Sequence, residues 1–207
     1  MVMRQTCLIT MSVKMPSTHI KADKRQHIVE TAYALFKRVG FHATGIDRII
    51  AEANVAKMTM YRHFPSKDDL TVEVLHYRER RFAGQLDQLA DSIATPGQKI
   101  AKIFDWYENW FRSPDFHGCL FAHALAEFGD PGHPVFEAVA GHKNALKGRL
   151  KRILEETMPG ERAESASMAL FMLLEGATLL AQMGQGDIAI RDARKATSSI
   201  LAVSGPQ

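Results

Sequence analysis

The segment from Lys57 to Lys67 gathers hydrogen-bond donors of several kinds. Lys57, Thr59, Tyr61, Arg62, His63 and Lys67 place ammonium, hydroxyl, phenol, guanidinium and imidazole groups close together, with the thioether of Met58 among them. Such a set can donate to phosphate oxygens, which positions a protein on a duplex. It can also reach base edges, which reads the sequence. A second constellation lies within 17 residues: His117, Cys119, His123, Glu127 and His133. Cys119, His123 and Glu127 fall four apart and so share one face of a helix. Thiolate, imidazole and carboxylate are zinc ligands. A cysteine with a lowered pKa is a redox switch. The same residues serve equally well as the lining of a pocket or as packing. The chain has no Gly-rich phosphate loop, no His-Glu-x-x-His pair and no nucleophile elbow, so no enzyme and no cofactor are expected.

The elements that hold these groups read as helices. Apolar residues recur at three- and four-residue spacing after residue 21, without the alternation of strands. Ile28, Ala32, Leu35, Phe36 and Val39 make one face of a first helix, which Gly40 stops. Thr44, with Asp47 three residues on, reads as the N-cap of a second helix with Ile46, Ile49, Ile50 and Ala53 inward. Asn54 suits the left-handed conformation of a tight turn. A short third helix follows from about Ala56, with Val55, Met60 and Phe64 inward, and Pro65 ends it. Ser66 and Asp69 cap a long fourth helix. Thr95-Pro96 opens a fifth, Ser113-Pro114-Asp115 breaks it, and a short sixth covers about 118–128. Three more are expected over about 134–157, 161–183 and 187–203. The expected architecture is all-α. An extension over 1–20 precedes a helix-turn-helix head over 21–66 and a helical body over 67–207.

Composition agrees. An apolar fraction of 46% is that of a chain with a packed core. The contiguous apolar stretches, such as Met168 to Leu174, are too short to span a bilayer, so no membrane association is expected. The N-terminus lacks the apolar run of a secretory signal. The two cysteines, Cys7 and Cys119, make no disulfide framework, and a reducing cytoplasm is the expected compartment. The net charge of +3 is unevenly spread: up to Arg81 there are 14 Lys/Arg against 8 Asp/Glu, and beyond it 12 against 15. A basic front and an acidic rear point the front at a polyanion.

The run Ile28-x3-Ala32-x2-Leu35-Phe36-x3-Gly40, then Thr44-x-Ile46, Ile49-Ile50-Ala51, and Val55-Ala56-Lys57-Met58-Thr59-Met60-Tyr61-x-His63-Phe64-x-Ser66-Lys67-x2-Leu70 resembles the head of the tetracycline-repressor (TetR) family. The resemblance implies an all-helical homodimer whose two heads read a near-palindromic double-stranded operator. It further implies a repressor released by a small-molecule effector bound in the body. By position, Tyr61, His63 and Lys67 correspond to backbone contacts, Lys57, Met58, Thr59 and Arg62 to the groove-facing set, and Thr44 to a phosphate clamp. For His63, packing against the fourth helix is the competing role. The chain departs from the family at Asn54 (usually Gly), at Ala56 (commonly a Ser cap) and at Met58 (commonly small), which bears on the operator sequence rather than on DNA binding.

In the body, Met168, Phe171, Met172, Leu174, Ala177, Thr178, Leu180 and Ala181 make one helix apolar over most of its circumference. Ala189, Ala193, Ala196, Ile200 and Leu201 supply a face on the last. These two helices are the expected dimer surface; an internal helix pair is the competing reading. The aromatics cluster in the middle helices, where core and pocket are compositionally alike. The expected pocket set is Trp106, Tyr107, Trp110, Cys119, His123, Glu127, Met172 and Glu175, for a hydrophobic or aromatic effector. The alternative is a redox- or metal-responsive regulator acting through Cys119.

Overall fold

The computed structural model describes residues 17–90 and 95–203, and among them all regular structure is helical. The elements are α1 (Ser17–Val39), α2 (Ile46–Glu52), α3 (Lys57–His63), α4 (Lys67–Ala90), α5 (Pro96–Phe111), α6 (Leu120–Glu127), α7 (Pro134–Glu155), α8 (Gly160–Gln182) and α9 (Gly186–Val203). Helix α1 thus starts within the stretch expected to be an extension. Cys7 and the rest of that extension lie outside the described residues.

Local chemistry sets most of the boundaries. Gly40 ends α1 at φ +94°, and Asn54 turns the chain between α2 and α3 at φ +50°. Such angles favour glycine and tolerate asparagine. Ser66 and Asp69 form a reciprocal box at the start of α4: the Asp69 amide donates to Ser66 Oγ and the Ser66 amide to Asp69 Oδ2, both at 3.0 Å. Thr95 caps α5, accepting from the Gln98 amide, with Pro96 in the first turn. The expectation for Thr44 fails. Gly45 is the N-cap of α2, while the fully buried Thr44 hydroxyl donates back to the Gly40 carbonyl at 2.7 Å. A hydroxyl held inside the α1–α2 turn satisfies that turn instead of the next helix.

Two hydrophobic clusters organise the molecule. One joins Ile28, Leu35 and Phe36 of α1, Ile49 of α2, Met60 of α3 and Leu70 and Val74 of α4, and it runs on into Phe121 and Ala124 of α6 and Val135 and Val139 of α7. The other holds Phe82 and Leu86 of α4 with the apolar faces of α5, α7, α8 and α9. Helix α4 belongs to both, and α6 seats directly on the head's core, so head and body are joined by shared packing.

Helix α8 is 23 residues long and apolar enough to cross a membrane by composition, which the contiguous apolar runs alone do not disclose. It has two apolar faces. Leu170, Leu174, Ala177, Thr178 and Ala181 are buried within the subunit. Met168, Met172, Leu179, Leu180 and Met183 are exposed. The expected dimer surface is therefore corrected: Leu174, Ala177, Thr178 and Ala181, with Ala189 and Ala193 of α9, are spent on internal packing. The internal pair and an outward stripe coexist on one helix.

Candidate nucleic-acid interface and effector cavity

The candidate reading surface is built from α2, the Asn54 turn and α3. Ile49, Ala53, Met60 and Phe64 are at most 2% exposed and pin the two helices to α1. That anchoring fixes what α3 presents outward. Lys57, Met58, Tyr61 and Arg62 are exposed, Met58 at 81%, and Thr59 is half-buried. That leaves a burial-prone thioether side chain in solvent beside two cations and a phenol. Lys57 meets Asp47 of α2 at 3.4 Å with both side chains largely in solvent, a pair that contributes little. His63 is half-buried beside Phe64, ring centroids 6.4 Å apart, so it sits at the rim of the surface. Lys67 is half-buried at the first position of α4. The Ser66 amide there is already held by Asp69, and Asp68 lies 3.3 Å from His133, so Lys67 and not that helix terminus is the cationic element. Thr44 leaves the set altogether because its hydroxyl is buried.

The expected effector residues separate. Tyr107, Trp110, Cys119 and Glu175 do line one cavity, with Phe82, Phe121 and His142. The cavity holds only about 20 Å³, room for roughly one water. Trp106 lies outside it, edge-on to Phe82 with centroids 4.9 Å apart. His123 bonds the Gln182 side chain at 3.0 Å. Met172 is 59% exposed on the outer face of α8. Glu127 reaches the head and accepts from the backbone amides of Phe41 and His42. The zinc reading fails with this dispersal. His117 bonds the Asp115 carbonyl and His133 accepts from the Val135 amide, and no three His, Cys, Asp or Glu side chains converge among the described residues.

The cavity is more polar than its aromatic content suggests. Lys143 donates to both Glu175 oxygens at 2.6 and 2.7 Å and lies 3.5 Å from Cys119 Sγ. Burial opposes its charge, but Cys119 and Glu175 more than offset that, and the ammonium is held above its ordinary pKa. Tyr107 is pushed well above 10, mainly by burial and then by Glu175 and Cys119, so the phenol stays protonated. His142 stacks on Phe121 at 3.5 Å, and burial, then Lys143 and Arg78, pull its imidazole down to about 3. Periodicity did not single out Lys143 or His142. The signal available was a Glu inside the otherwise apolar Leu173–Leu180 run, which demands a buried cation nearby.

Family comparison matches residues 28–74 to the bacterial regulatory proteins of the tetR family and residues 96–197 to a tetracyclin repressor-like C-terminal domain. The fold is similar to a TetR-family transcriptional regulator from Streptomyces coelicolor, with TM-score 0.83 and 30% identity, covering 89% of this chain and 97% of that one. Among curated relatives, the HTH-type transcriptional regulator LmrA of Bacillus subtilis is 26% identical over 76% of this chain and 86% of its own. The HTH-type transcriptional repressor NemR of Escherichia coli is 25% identical over 89% and 96%.

Proposed function

Since the chain belongs to the TetR family of transcriptional regulators, we propose that it is a cytoplasmic homodimeric repressor of a near-palindromic operator, released by a small hydrophobic or aromatic effector. One observation carries the reading: α3, clamped from behind by Met60 and Phe64, turns Lys57, Met58, Tyr61 and Arg62 to solvent on a pre-formed helix-turn-helix. In this reading Lys57, Met58, Thr59 and Arg62 meet the major groove, while Tyr61, His63 and Lys67 hold the backbone. The stripe from Met168 to Met183 covers itself with the same stripe of a second copy, which sets the spacing of the two heads. Effector binding in the body shifts the dimer toward a spacing that no longer fits successive major grooves, which requires differential affinity for the two states.

The test is a fluorescence-anisotropy titration against the DNA upstream of the protein's own gene, at two salt concentrations, beside a Tyr61→Ala, Lys67→Ala double variant. Tight, salt-sensitive binding by the wild type and loss of most of it by the variant supports the reading, because each neutralised phosphate releases counterions. Weak binding without preference, there and in a genome-wide selection of bound fragments, refutes it.

A second reading is favoured by the 3.5 Å contact between Lys143 Nζ and Cys119 Sγ: a peroxide oxidises the thiol to a sulfenic acid, is itself reduced, and so breaks the Lys143 contact. Equal DNA affinity before and after peroxide treatment would exclude it.

A further inference from the structure

The cavity beside Tyr107 is too small for an effector as it stands, but a larger cleft lies against its outer wall. It encloses about 360 Å³ between α1, α4 and α5, and its lining includes Tyr33, Lys37, Arg78, Arg81, Trp106 and Trp110. Arg78 and Trp110 line both spaces.

The charge of the cleft is unbalanced. Lys37 is paired with Asp115, the one carboxylate on its wall among the described residues. Arg81 donates to the Tyr77 phenol at 2.7 Å, that phenol donates on to Glu30 at 3.3 Å, and Arg81 makes no direct ion pair among the described residues. Arg78 has neither a hydrogen bond nor an ion pair there. Its guanidinium lies over three rings instead, 5.5 Å from Phe82, 5.9 Å from Trp106 and 5.8 Å from Trp110. Spaced three apart on α4, the two guanidiniums face the same way. A half-buried guanidinium with unused donors is ready for a bidentate anion, and its planar fork suits a carboxylate. The indoles beside it suit a flat ring.

We propose that this cleft binds an aromatic carboxylate, its anion on Arg78 and Arg81 and its ring against Trp106 and Trp110. The inference rests on the reading of the chain as an effector-responsive regulator and names the chemical class of the effector. The site joins the two halves of the subunit. Tyr33 and Lys37 belong to the first helix of the head, Trp106 and Trp110 to the body, and the bound anion competes with Asp115 for Lys37 across the gap. A ligand held there acts on the head without first prising open the smaller cavity.

The probe is 2-naphthoate, with 2-naphthamide as its uncharged counterpart, titrated into the purified protein by calorimetry and by tryptophan fluorescence. The expected result is saturable binding of naphthoate, with the amide weaker by roughly tenfold or more and R78Q weakened by a similar factor, as for loss of a charge-assisted pair. The amide comparison uses wild-type protein and so does not depend on how the variant folds; circular dichroism melting checks R78Q. Equal affinity for acid and amide, unchanged affinity in a folded R78Q, or no saturable binding at millimolar naphthoate overturns the proposal. If naphthoate binds as expected but leaves operator affinity unchanged, the cleft stands and the effector reading fails.

Discussion

The Glu127 carboxylate, at the end of α6, holds the backbone of His42 in the head. It accepts the His42 amide at 2.5 Å and the neighbouring Phe41 amide at 2.9 Å, and the His42 imidazole lies 3.1 Å away. Phe128 continues the joint, its ring 4.6 Å from that of His42 and 5.9 Å from that of Phe41. The other end of the same two-turn helix, at Cys119 and Phe121, lines the cavity. A short rigid element thus has the cavity at one end and the turn after α1 at the other. Gly40 makes the approach feasible: a Cβ there would sit 3.1 Å from Glu127 Oε1.

Glu127→Gln is the informative variant of that joint. A carboxylate accepts two amides at once, whereas a carboxamide offers one acceptor and turns an NH₂ toward the second donor. We expect a loss of about 1 kcal/mol, the net worth of one hydrogen bond, because water can reach the freed His42 amide. Amide hydrogen exchange at Phe41 and His42 should accelerate while the α3 and α7 amides stay protected. Unaltered exchange at those two amides would show that the packing of Phe128 alone carries the joint.

The exposed stripe of α8 predicts an oligomeric state. Met172, Leu179 and Met183 are each about 60% exposed and recur at helical spacing, with Gly176 between them leaving room for another helix. Leu179→Lys should give a monomer by light scattering with unchanged helix content, and DNA affinity should fall with it. A Leu179→Lys protein that remains dimeric places the interface elsewhere.

The Lys143–Glu175 pair predicts asymmetric costs. Lys143→Met leaves the Glu175 carboxylate, 30% exposed, beside aromatic rings and without its paired ammonium. The expected loss is on the order of 2 kcal/mol, below the ~3–5 kcal/mol of a fully buried orphan because water reaches Glu175. Adding Glu175→Leu should restore most of it. A double variant no more stable than Lys143→Met would mean that the pair is not coupled, and urea denaturation of the wild type, Lys143→Met, Glu175→Leu and the double variant decides.

These relations mark where sequence reading stopped. The helices, their caps and the outward set on α3 follow from local rules, since the Ser66–Asp69 box, the Thr95 cap and the turn at Asn54 depend on residues within a few positions. What a locally ordinary residue meets across the fold does not follow. Thr44 has the sequence context of a cap, yet its hydroxyl finds the Gly40 carbonyl first. Glu127 shares a helical face with Cys119 and His123, but it lies at the helix end nearest the head and bonds across 86 residues to Phe41. Helix α8 reads as apolar nearly all round, and periodicity cannot say which apolar residues face inward. Arg78 carries no mark in the sequence, because what sets it apart is the set of rings its guanidinium lies over, two of them on α5.

His142 gives the pH prediction. Its folded pKa of about 3 lies below the ordinary 6.5, with burial the leading cause, so the native state rejects a proton that the unfolded chain accepts. The rings of Phe121 and Phe82 face it, the nearby cations Lys143 and Arg78 add to the penalty on its charged form, and Glu79 at 3.9 Å is too distant to rescue that form by a hydrogen bond. A group depressed in this way contributes its full stability above the unfolded pKa and loses it as pH falls from about 6.5 toward 3. Between pH 7.5 and 5.5 the wild type should lose roughly 1 kcal/mol more than His142→Phe, which keeps the stacked ring without the titration. The carboxylates held low by guanidinium partners, Glu73 beside Arg25 and Asp87 beside Arg149, titrate below that window and do not blur it. Urea midpoints at the two pH values measure the difference. Parallel behaviour of the two proteins would mean that the imidazole takes its proton without leaving the core, and that the contact with Phe121 tolerates a charge.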